Sequence, residues 1–283
     1  MFCYLTILTS LVNCHNFNYN HIMSKKEKKV IYYHDELNDE FSTAQIETKY
    51  IGENYKYLHK TIFGSIFHAI VYRGIAIPLA FIYLKCKFHH KIVGKEKLKK
   101  HKKESYFIYG NHTQIIGDAL IPTFVSLNKG TYVIVHPNNV SMKFLGKVTP
   151  YLGAIPLPDD LKATRNFIKC IEKRMEQKKA ICIYPEAHLW PYYTKIRPFL
   201  DKSFHYPIKY NKPVYCFTNT YHKRKHSDKV NIITYVDGPF YVDPNLDMEE
   251  NKIKLRKEVY EAMCNRAKTS DYEVIEYRKA KDD

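Results

Sequence analysis

A histidine and a carboxylate follow the end of a predicted strand in the stretch Tyr109-Gly-Asn-His-Thr-Gln-Ile-Ile-Gly-Asp118. The hydrophobic run 106–109 is typical of a short buried strand, and it stops at Gly110. A neutral imidazole can take a proton from a hydroxyl, and a nearby carboxylate fixes its tautomer and stabilises the imidazolium. His112 and Asp118 could therefore be a general base and its orienting partner. A polar loop histidine beside a helix-capping aspartate would give the same pattern.

A second polar segment follows another predicted strand, Ala180–Tyr184. Glu186 lies just beyond this strand, where α/β sheets usually bind ligands, and His188 could contact a substrate or cap the loop. Lys195 and Arg197 come next, and such cations can hold a phosphate, the arginine through bidentate hydrogen bonds. An ordinary basic loop has the same composition, so residue types alone leave both interpretations open.

The composition sets limits on the partners of this chain. It has 283 residues, 45% of them hydrophobic, which allows one large domain or two small ones with a sizeable core. The net charge of +16 favours anionic partners: nucleic acid, anionic lipid or an acidic protein. Charge and the 25 tyrosines leave a nucleic-acid-binding protein as a rival interpretation, but no nucleic-acid-binding motif is recognisable, so we expect no nucleic-acid partner. The 7 cysteines lack paired spacing, so we predict neither disulfides nor a metal site.

Strand-like and helical runs alternate from residue 90 onward. This alternation predicts an α/β fold, with a mixed, largely buried β-sheet flanked by helices. The predicted strands are Lys91–Gly94, Tyr106–Tyr109, Thr131–Val135, Ala180–Tyr184, Val214–Asn219 and Val230–Val236. The predicted helices are Thr43–Lys60, Asp118–Leu127, Ser141–Thr149, Asp159–Lys178, Lys202–Tyr210 and Met248–Lys268.

The segment Ile62–Leu84 is the most apolar part of the chain. Its length would suffice for a bilayer span, which needs about 20 residues. Arg73 lies at its centre, however, at a cost of about 2.5–3.5 kcal/mol, and Gly74 and Pro78 interrupt a helix. We therefore expect one or two short helices in the membrane interface, with a true span or a buried helix as alternatives.

These features predict four regions along the chain. Residues 1–22 contain no charged side chain and are interpreted as an upstream extension, or else as a membrane-targeting segment. Residues 23–88 are expected to form an N-terminal helical, membrane-associated region. Residues 89–245 are expected to form the α/β core, and residues 246–283 a charged helix and tail.

Four blocks of sequence, in this order, resemble those of the glycerolipid acyltransferase family, which includes the bacterial 1-acylglycerol-3-phosphate acyltransferases. The resemblance covers residues 60–240 approximately. The blocks are Gly110-Asn-His112 with Asp118, Gly153-Ala-Ile-Pro-Leu157, Tyr184-Pro-Glu186 and Lys212-Pro-Val-Tyr-Cys-Phe217.

Two departures from the family pattern affect the site. Five residues, in place of the family's four, separate His112 from Asp118, giving an HxxxxxD motif, so the turn must bulge if the carboxylate is to reach the ring. Ala187-His188-Leu189 stands where the family has Gly-Thr-Arg, so the family's phosphate-binding arginine is missing at that position.

The resemblance implies an acyltransferase at the cytoplasmic face of the cell membrane, bound there as a peripheral or monotopic protein. The expected reaction moves a fatty acyl group from acyl-CoA or acyl carrier protein to a lysophospholipid hydroxyl. The favoured acceptor is 1-acylglycerol 3-phosphate, which would give phosphatidic acid, with membrane phospholipid as partner and no cofactor beyond the thioester. The alternatives are glycerol 3-phosphate or another lysolipid as acceptor, or a non-catalytic membrane-surface protein of the same fold.

The resemblance also implies roles for individual residues. His112 would be the base and Asp118 its orienting partner. Glu186 would hold the acceptor. Backbone N–H groups near Gly153 would stabilise the oxyanion. Further candidate contacts to the acceptor or its phosphate are Asn111, His188, Lys195 and Arg197.

Overall fold

The structure is a computed structural model that describes residues 28–42, 46–58, 74–126, 129–143 and 145–281. The predicted extension over residues 1–22 lies outside the described residues. So does the part of the apolar segment that precedes residue 74.

Seven strands form one sheet that confirms the predicted fold class. The strands are β2 Lys91–Val93, β3 Tyr106–Gly110, β4 Thr131–Val135, β5 Ala154–Pro156, β6 Ala180–Ile183, β7 Val214–Arg224 and β8 Ser227–Phe240. Their order in the sheet is β2-β8-β7-β3-β6-β4-β5, and the five strands from β7 to β5 run parallel. Strand β8 is antiparallel to β7, and β2 is parallel to β8, so the sheet is mixed.

Both faces of the central strands are covered. All residues of β3 and β6 are buried, as continuous hydrophobic runs in a parallel sheet require. Phe107 and Tyr109 of β3 face one core, while Tyr106 and Ile108 face the other. The α-helices of the described chain are α1 Ile77–Phe88, α2 Gly117–Val125, α3 Asn138–Ser141, α4 Leu145–Val148, α5 Leu161–Glu176, α6 His205–Lys209 and α7 Met248–Ala267.

The two long predicted helices are confirmed, with specific caps. Asp160 accepts a hydrogen bond of 2.6 Å from the Ala163 N–H at the start of α5. Asp247 and Glu250 form a reciprocal capping box at the start of α7. The helices α5 and α7 pack on the same face of the sheet, and α1 and α2 pack on the other.

Two predicted helices are wrong. Residues 46–58 are not helical, because their backbone groups bond to distant loops: the Ile51 N–H donates to Asp159 Oδ2 at 2.7 Å, and the Lys49 N–H donates to Ser141 Oγ at 2.8 Å. The helix predicted over Ser141–Thr149 is broken into α3, α4 and a 3-10 turn, Thr149–Leu152, that contains Pro150.

A small second sheet was not predicted. Strand β1, Lys29–Tyr33, pairs in parallel with β9, Ile275–Lys279, near the two ends of the described chain. The predicted C-terminal tail therefore continues from α7 into a strand. This pairing joins residues more than 240 positions apart, as in Lys29 with Ile275, so no local pattern indicates it.

The apolar segment predicted to lie in the membrane interface is seen from Gly74 onward. There it contributes α1, whose Phe81 and Ile82 are 50% and 55% exposed. No helix among the described residues combines the length and apolar character needed to cross a bilayer.

The topology places three polar segments together. Strand β3 lies between β6 and β7, and all three run parallel, so their carboxyl ends meet at one edge of the sheet. Gly110 pairs with Phe217, which puts Asn219 of β7 beside the residues that follow β3. The segments that begin at Asn111 and Tyr184 leave the sheet at the same edge.

Candidate active site

His112 and Asp118 form a hydrogen-bonded pair. His112 Nδ1 lies 2.7 Å from Asp118 Oδ2. The His112 side chain is 26% exposed, whereas the Asp118 side chain is 4% exposed. The ring nitrogen Nε2 of His112 has no hydrogen-bond partner among the described residues. A histidine oriented in this way can accept a proton from outside at Nε2.

The extra residue between His112 and Asp118 is accommodated by a compact turn. The Gln114 N–H donates to Asp118 Oδ2 at 2.9 Å, and the Asp118 N–H donates to the Gln114 carbonyl at 3.2 Å. Gly117 is needed in this turn, because a Cβ there would lie 2.9 Å from the Cβ of Gln114. The bulge that the longer spacing requires is therefore present, and it brings the carboxylate to the ring.

The Asp118 carboxylate is held by several donors in a buried setting. Burial raises the pKa of Asp118, and the hydrogen bond and charge of His112 oppose that shift. Asn219 Nδ2 also donates to Asp118 Oδ1, at 3.5 Å. Because an ionised carboxylate only accepts hydrogen bonds, these donors suit the charged form and place the proton of His112 on Nδ1.

Tyr184 fixes the plane of the His112 ring. The two rings stack with centroids 4.8 Å apart, and the Tyr184 hydroxyl donates to the Asp118 carbonyl at 2.6 Å. The Trp190 N–H donates to the His112 carbonyl at 3.1 Å. The segment after β6 thus holds the segment after β3 from one side.

Asn111 is buried and ties the end of β3 to β7. Its Oδ1 accepts from the Asn219 N–H at 2.8 Å, and its Nδ2 donates to the Asn219 carbonyl at 3.1 Å. The Asn111 side chain, which is 1% exposed, thereby makes the two hydrogen bonds to β7 that the backbone of a neighbouring strand would make, directly before His112. The structure places this predicted substrate contact beneath the surface, as an anchor for His112.

Glu186 lies under the backbone of His112. Its Oε2 accepts from the His112 N–H at 2.8 Å, and its Oε1 accepts from the Arg197 N–H at 2.9 Å. The side chain is fully buried, which raises its pKa, while the charge of Arg197 opposes that shift. The predicted contact of Glu186 with an acceptor does not fit this position, because both oxygens are occupied by backbone donors.

Arg197, a predicted phosphate contact, lies inside the protein in this structure. Its side chain has no exposed surface, and its guanidinium lies 4.9 Å from the Trp190 ring centroid. Its nitrogens donate to the carbonyls of Glu36, Glu186 and His188, and it lies 3.9 Å from the Glu186 carboxylate. Arg197 therefore joins backbone segments inside the protein.

His188 and Lys195 remain at the surface of the same loop. The His188 ring lies 3.2 Å from Glu40 Oε2, and both side chains are partly exposed. Lys195 is exposed. These are the two predicted contacts on this loop that an outside ligand can reach.

Gly153 lies away from the site. It precedes β5, at the amino end of an edge strand, while His112 follows the carboxyl end of β3. Its φ is +101°, and a Cβ there would lie 2.5 Å from the Thr131 carbonyl, so glycine permits close packing of β5 on β4. The Gly153 N–H bonds to Pro150 and the Leu157 N–H to Val135. The structure therefore places Gly153, the predicted oxyanion contact, at the opposite end of the sheet from His112.

Three buried polar residues of this region were missed in the sequence. They are Asn219 and Thr220 of β7 and Thr234 of β8, each at most 2% exposed. Burial of polar side chains requires hydrogen-bond partners, so polar residues inside predicted core strands were the available signal. Among the described residues, no cluster of three or more histidine, cysteine or acidic side chains is arranged to hold a metal ion.

Comparison with known proteins identifies the fold. No protein-family model and no curated protein sequence matches the chain. A solved structure that resembles it is the 1-acyl-sn-glycerophosphate (LPA) acyltransferase PlsC from Thermotoga maritima, with a TM-score of 0.51 and 18% identity. The match covers 75% of this chain and 83% of that chain. This chain therefore has the fold of that enzyme.

Proposed function

We propose that this chain is an acyltransferase that transfers a fatty acyl group from a thioester to the hydroxyl of a lysophospholipid. The observation that carries the proposal is the 2.7 Å contact between His112 Nδ1 and Asp118 Oδ2, with Nε2 left unengaged. The fold shared with an LPA acyltransferase supports the reaction class. The acceptor we propose is 1-acylglycerol 3-phosphate, which would give phosphatidic acid.

The reaction needs one base and a positioned thioester. His112 Nε2 takes the proton of the acceptor hydroxyl as the oxygen attacks the thioester carbonyl carbon. The tetrahedral intermediate collapses with cleavage of the C–S bond, and the imidazolium returns the proton to the sulfur of CoA or acyl carrier protein. Asp118 stabilises the imidazolium between these steps. No acyl-enzyme forms, since the acceptor attacks directly.

Burial divides the remaining residues by role. Glu186, Asn111 and Arg197 hold the backbone that carries His112, because their side chains are buried and hydrogen-bonded inside the protein. Lys195 is exposed on the same loop as Glu186, so we assign the acceptor phosphate to its ammonium group. His188 stays a candidate contact to the acceptor.

The surface near the pair suits a lipid interface. Helix α1 exposes Phe81 and Ile82, and Ile115, between His112 and Asp118, is 47% exposed. The Phe81 ring lies 6.2 Å from the ring of Phe124, on the helix that carries Asp118. We propose that these side chains enter the membrane interface, so that the lysolipid reaches His112 from the bilayer.

A direct assay tests the proposed function. The purified full chain is supplied with acyl-CoA or acyl carrier protein thioester and with 1-acylglycerol 3-phosphate, glycerol 3-phosphate or a lysolipid without an exposed phosphate monoester. Thiol release and mass spectrometry of the lipid measure transfer. We expect phosphatidic acid from the first acceptor. Thioester consumption equal to the protein-free control with every acceptor would favour the non-catalytic alternative.

A further inference from the structure

A line of buried polar side chains reaches from the start of the edge strand β2 to the His112–Asp118 pair. His90 Nε2 lies 2.8 Å from Thr234 Oγ1, and the Thr234 hydroxyl lies 2.6 Å from Asn219 Oδ1. Asn219 Nδ2 then lies 3.5 Å from Asp118 Oδ1, the longest of the three contacts. His90, Thr234 and Asn219 are each at most 4% exposed, so water does not compete for these bonds.

Chemistry fixes the direction of every bond in this line. Asn219 turns its amide NH2 to Asp118, because the opposite orientation would place its oxygen against a carboxylate. Its Oδ1 can only accept, so the Thr234 hydroxyl must donate to it. The Thr234 oxygen must then accept from His90, which carries its proton on Nε2. Burial lowers the pKa of His90 to about 4, so this ring is neutral at neutral pH.

The direction of these hydrogen bonds affects which nitrogen of the His112 ring carries the proton. The NH2 group of Asn219 occupies Asp118 Oδ1, which leaves Oδ2 to the Gln114 N–H and to His112 Nδ1. The proton of a neutral His112 then lies on Nδ1, and the lone pair of Nε2 points outward. The backbone of Asn219 also holds Asn111, so one residue orients the carboxylate and anchors the histidine.

We propose that His90, Thr234 and Asn219 are positioning residues that hold His112 in the tautomer with its proton on Nδ1. They act by holding the Asn219 amide on Asp118 Oδ1, which keeps Oδ2 of the carboxylate against His112 Nδ1, and all three are buried away from substrate. The proposal deepens the function proposed above and rests on it for its catalytic consequence. The tautomer itself can be measured whether or not the protein transfers an acyl group.

The test compares substitutions that preserve shape. Thr234→Val removes the hydroxyl that orients Asn219, and Thr234→Ser retains it. Thr218→Val is the matched control, because the buried Thr218 hydroxyl, on β7, has no partner among the described residues. If Thr234→Val does not fold, His90→Phe carries the test, since it removes the donor that holds the Thr234 oxygen in place.

The first readout is nitrogen NMR of the full chain with labelled histidine, the His112 signals being assigned from their loss in His112→Ala. We expect Nδ1 protonated in the wild type, Thr234→Ser and Thr218→Val, and a mixture of tautomers in Thr234→Val or His90→Phe. An unchanged tautomer in the folded Thr234→Val or His90→Phe variant would overturn the proposal.

The second readout is the acyltransferase assay. Loss of one neutral hydrogen bond in this line should lower the rate by about 2–10-fold. We expect that loss in kcat for Thr234→Val, with KM nearly unchanged and activity restored by Thr234→Ser. A wild type with the expected tautomer but no transfer would refute the proposed function and leave the positioning role standing. A loss confined to KM would overturn the positioning role.

Discussion

At the residue scale, the exposed fraction of the side chain distinguishes the residue proposed to react with substrate from the residues that hold it in place. His112 is the partly exposed member of the site, while Asp118, Asn111, Glu186 and Arg197 are buried around its backbone and ring. Each of these four buried side chains makes hydrogen bonds inside the protein. The site therefore presents one accessible imidazole, held in place by buried side chains. This arrangement suits a general base that must stay oriented when no substrate is bound.

Arg197→Ala should destabilise the fold. The substitution leaves Glu186 as a buried charge without its partner and leaves three carbonyl oxygens without a donor. Breaking a buried pair in this way lowers the free energy of unfolding by about 3–5 kcal/mol. Urea unfolding measures this loss. Lys195→Ala, on the same loop but exposed, should change the unfolding free energy by about 0.5 kcal/mol at most. Equal stability of the two variants would contradict the buried role of Arg197.

Lys195→Ala should act on the acceptor. The loss of an exposed cation should raise KM for 1-acylglycerol 3-phosphate by about 3–10-fold and leave KM for a lysolipid lacking the phosphate monoester unchanged. Steady-state kinetics with both acceptors makes the comparison, with Lys209→Ala as a control at an exposed lysine on α6 that pairs with Glu172. A uniform rise with both acceptors would reject phosphate recognition by Lys195.

The sequence predicts the site residues unevenly. His112 and Glu186 follow buried strands, so their place at the sheet edge could be predicted from local pattern alone. Asp118 reaches the ring through a turn whose geometry depends on Gln114 and Gly117, which spacing does not reveal. Arg197 looks like a surface cation in the sequence, because its burial is produced by a distant segment around Glu36.

At the element scale, the N-terminal segment over residues 33–42 completes the site. The Phe41 N–H donates to the Leu189 carbonyl at 3.2 Å, and Trp190 Nε1 donates to the Asp39 carbonyl at 2.7 Å. Trp190 also stacks on Tyr277 of β9, with ring centroids 5.0 Å apart. The loop that contains Glu186 and Arg197 is thus held by both ends of the described chain.

Local patterns predict most of the core elements and miss this outer layer. The strands of the main sheet other than β5 have apolar runs, and helix α5 has strong hydrophobic periodicity, which a single window of sequence reveals. Strand β5 has only three residues and was not predicted. Strands β1 and β9 are short and form by pairing with each other. Residues 46–58 take their shape from Asp159 and Ser141, so a helix predicted from composition fails there.

Asp237 joins three elements and gives a pH-dependent prediction. It accepts from Arg266 of α7 at 2.7 and 2.8 Å and from Lys97 at 2.7 Å. Burial alone would raise the pKa of Asp237, but these hydrogen bonds outweigh it and lower the pKa. The stability that ionised Asp237 contributes is therefore present above its unfolded pKa, about 4, and is lost as pH falls through the folded pKa.

Asp237→Asn should accordingly lose about 1.5–3 kcal/mol of unfolding free energy at pH 7, the usual value of hydrogen bonds to a charged group. The difference from wild type should stay constant down to about pH 5 and shrink below about pH 4. Urea unfolding across this pH range measures it. A difference that is the same at pH 3 as at pH 7 would contradict the assignment.

At the scale of the whole molecule, the site and the proposed membrane face lie on adjoining elements. Helix α1 packs beside α2, which starts next to Asp118, and exposes Phe81 and Ile82. The net charge of +16 adds attraction to anionic lipid, with about 1 kcal/mol for each Lys or Arg near the surface. Membrane binding and chemistry would then share one orientation of the protein.

Phe81→Asp and Ile82→Asp should weaken membrane binding. Burial of each exposed side chain in the membrane interface would contribute about 1.5–3 kcal/mol to binding. Each substitution should therefore lower the partition coefficient of the protein into vesicles by at least about tenfold. Sedimentation with anionic phospholipid vesicles measures this. Ile253→Asp on α7 is the control, since Ile253 is 55% exposed, as Ile82 is. Equal losses for all three variants would contradict a specific membrane face.

The transfer rate of His112→Ala tests the central claim most directly. The assay uses acyl thioester and 1-acylglycerol 3-phosphate, with His222→Ala as control, because His222 also contacts an aspartate, Asp271, at 3.0 Å, but outside the site. Since a general base contributes about 10²–10⁴-fold, we predict that loss in kcat for His112→Ala, with vesicle binding retained and His222→Ala nearly as active as wild type. Turnover by His112→Ala at the wild-type rate would contradict the account.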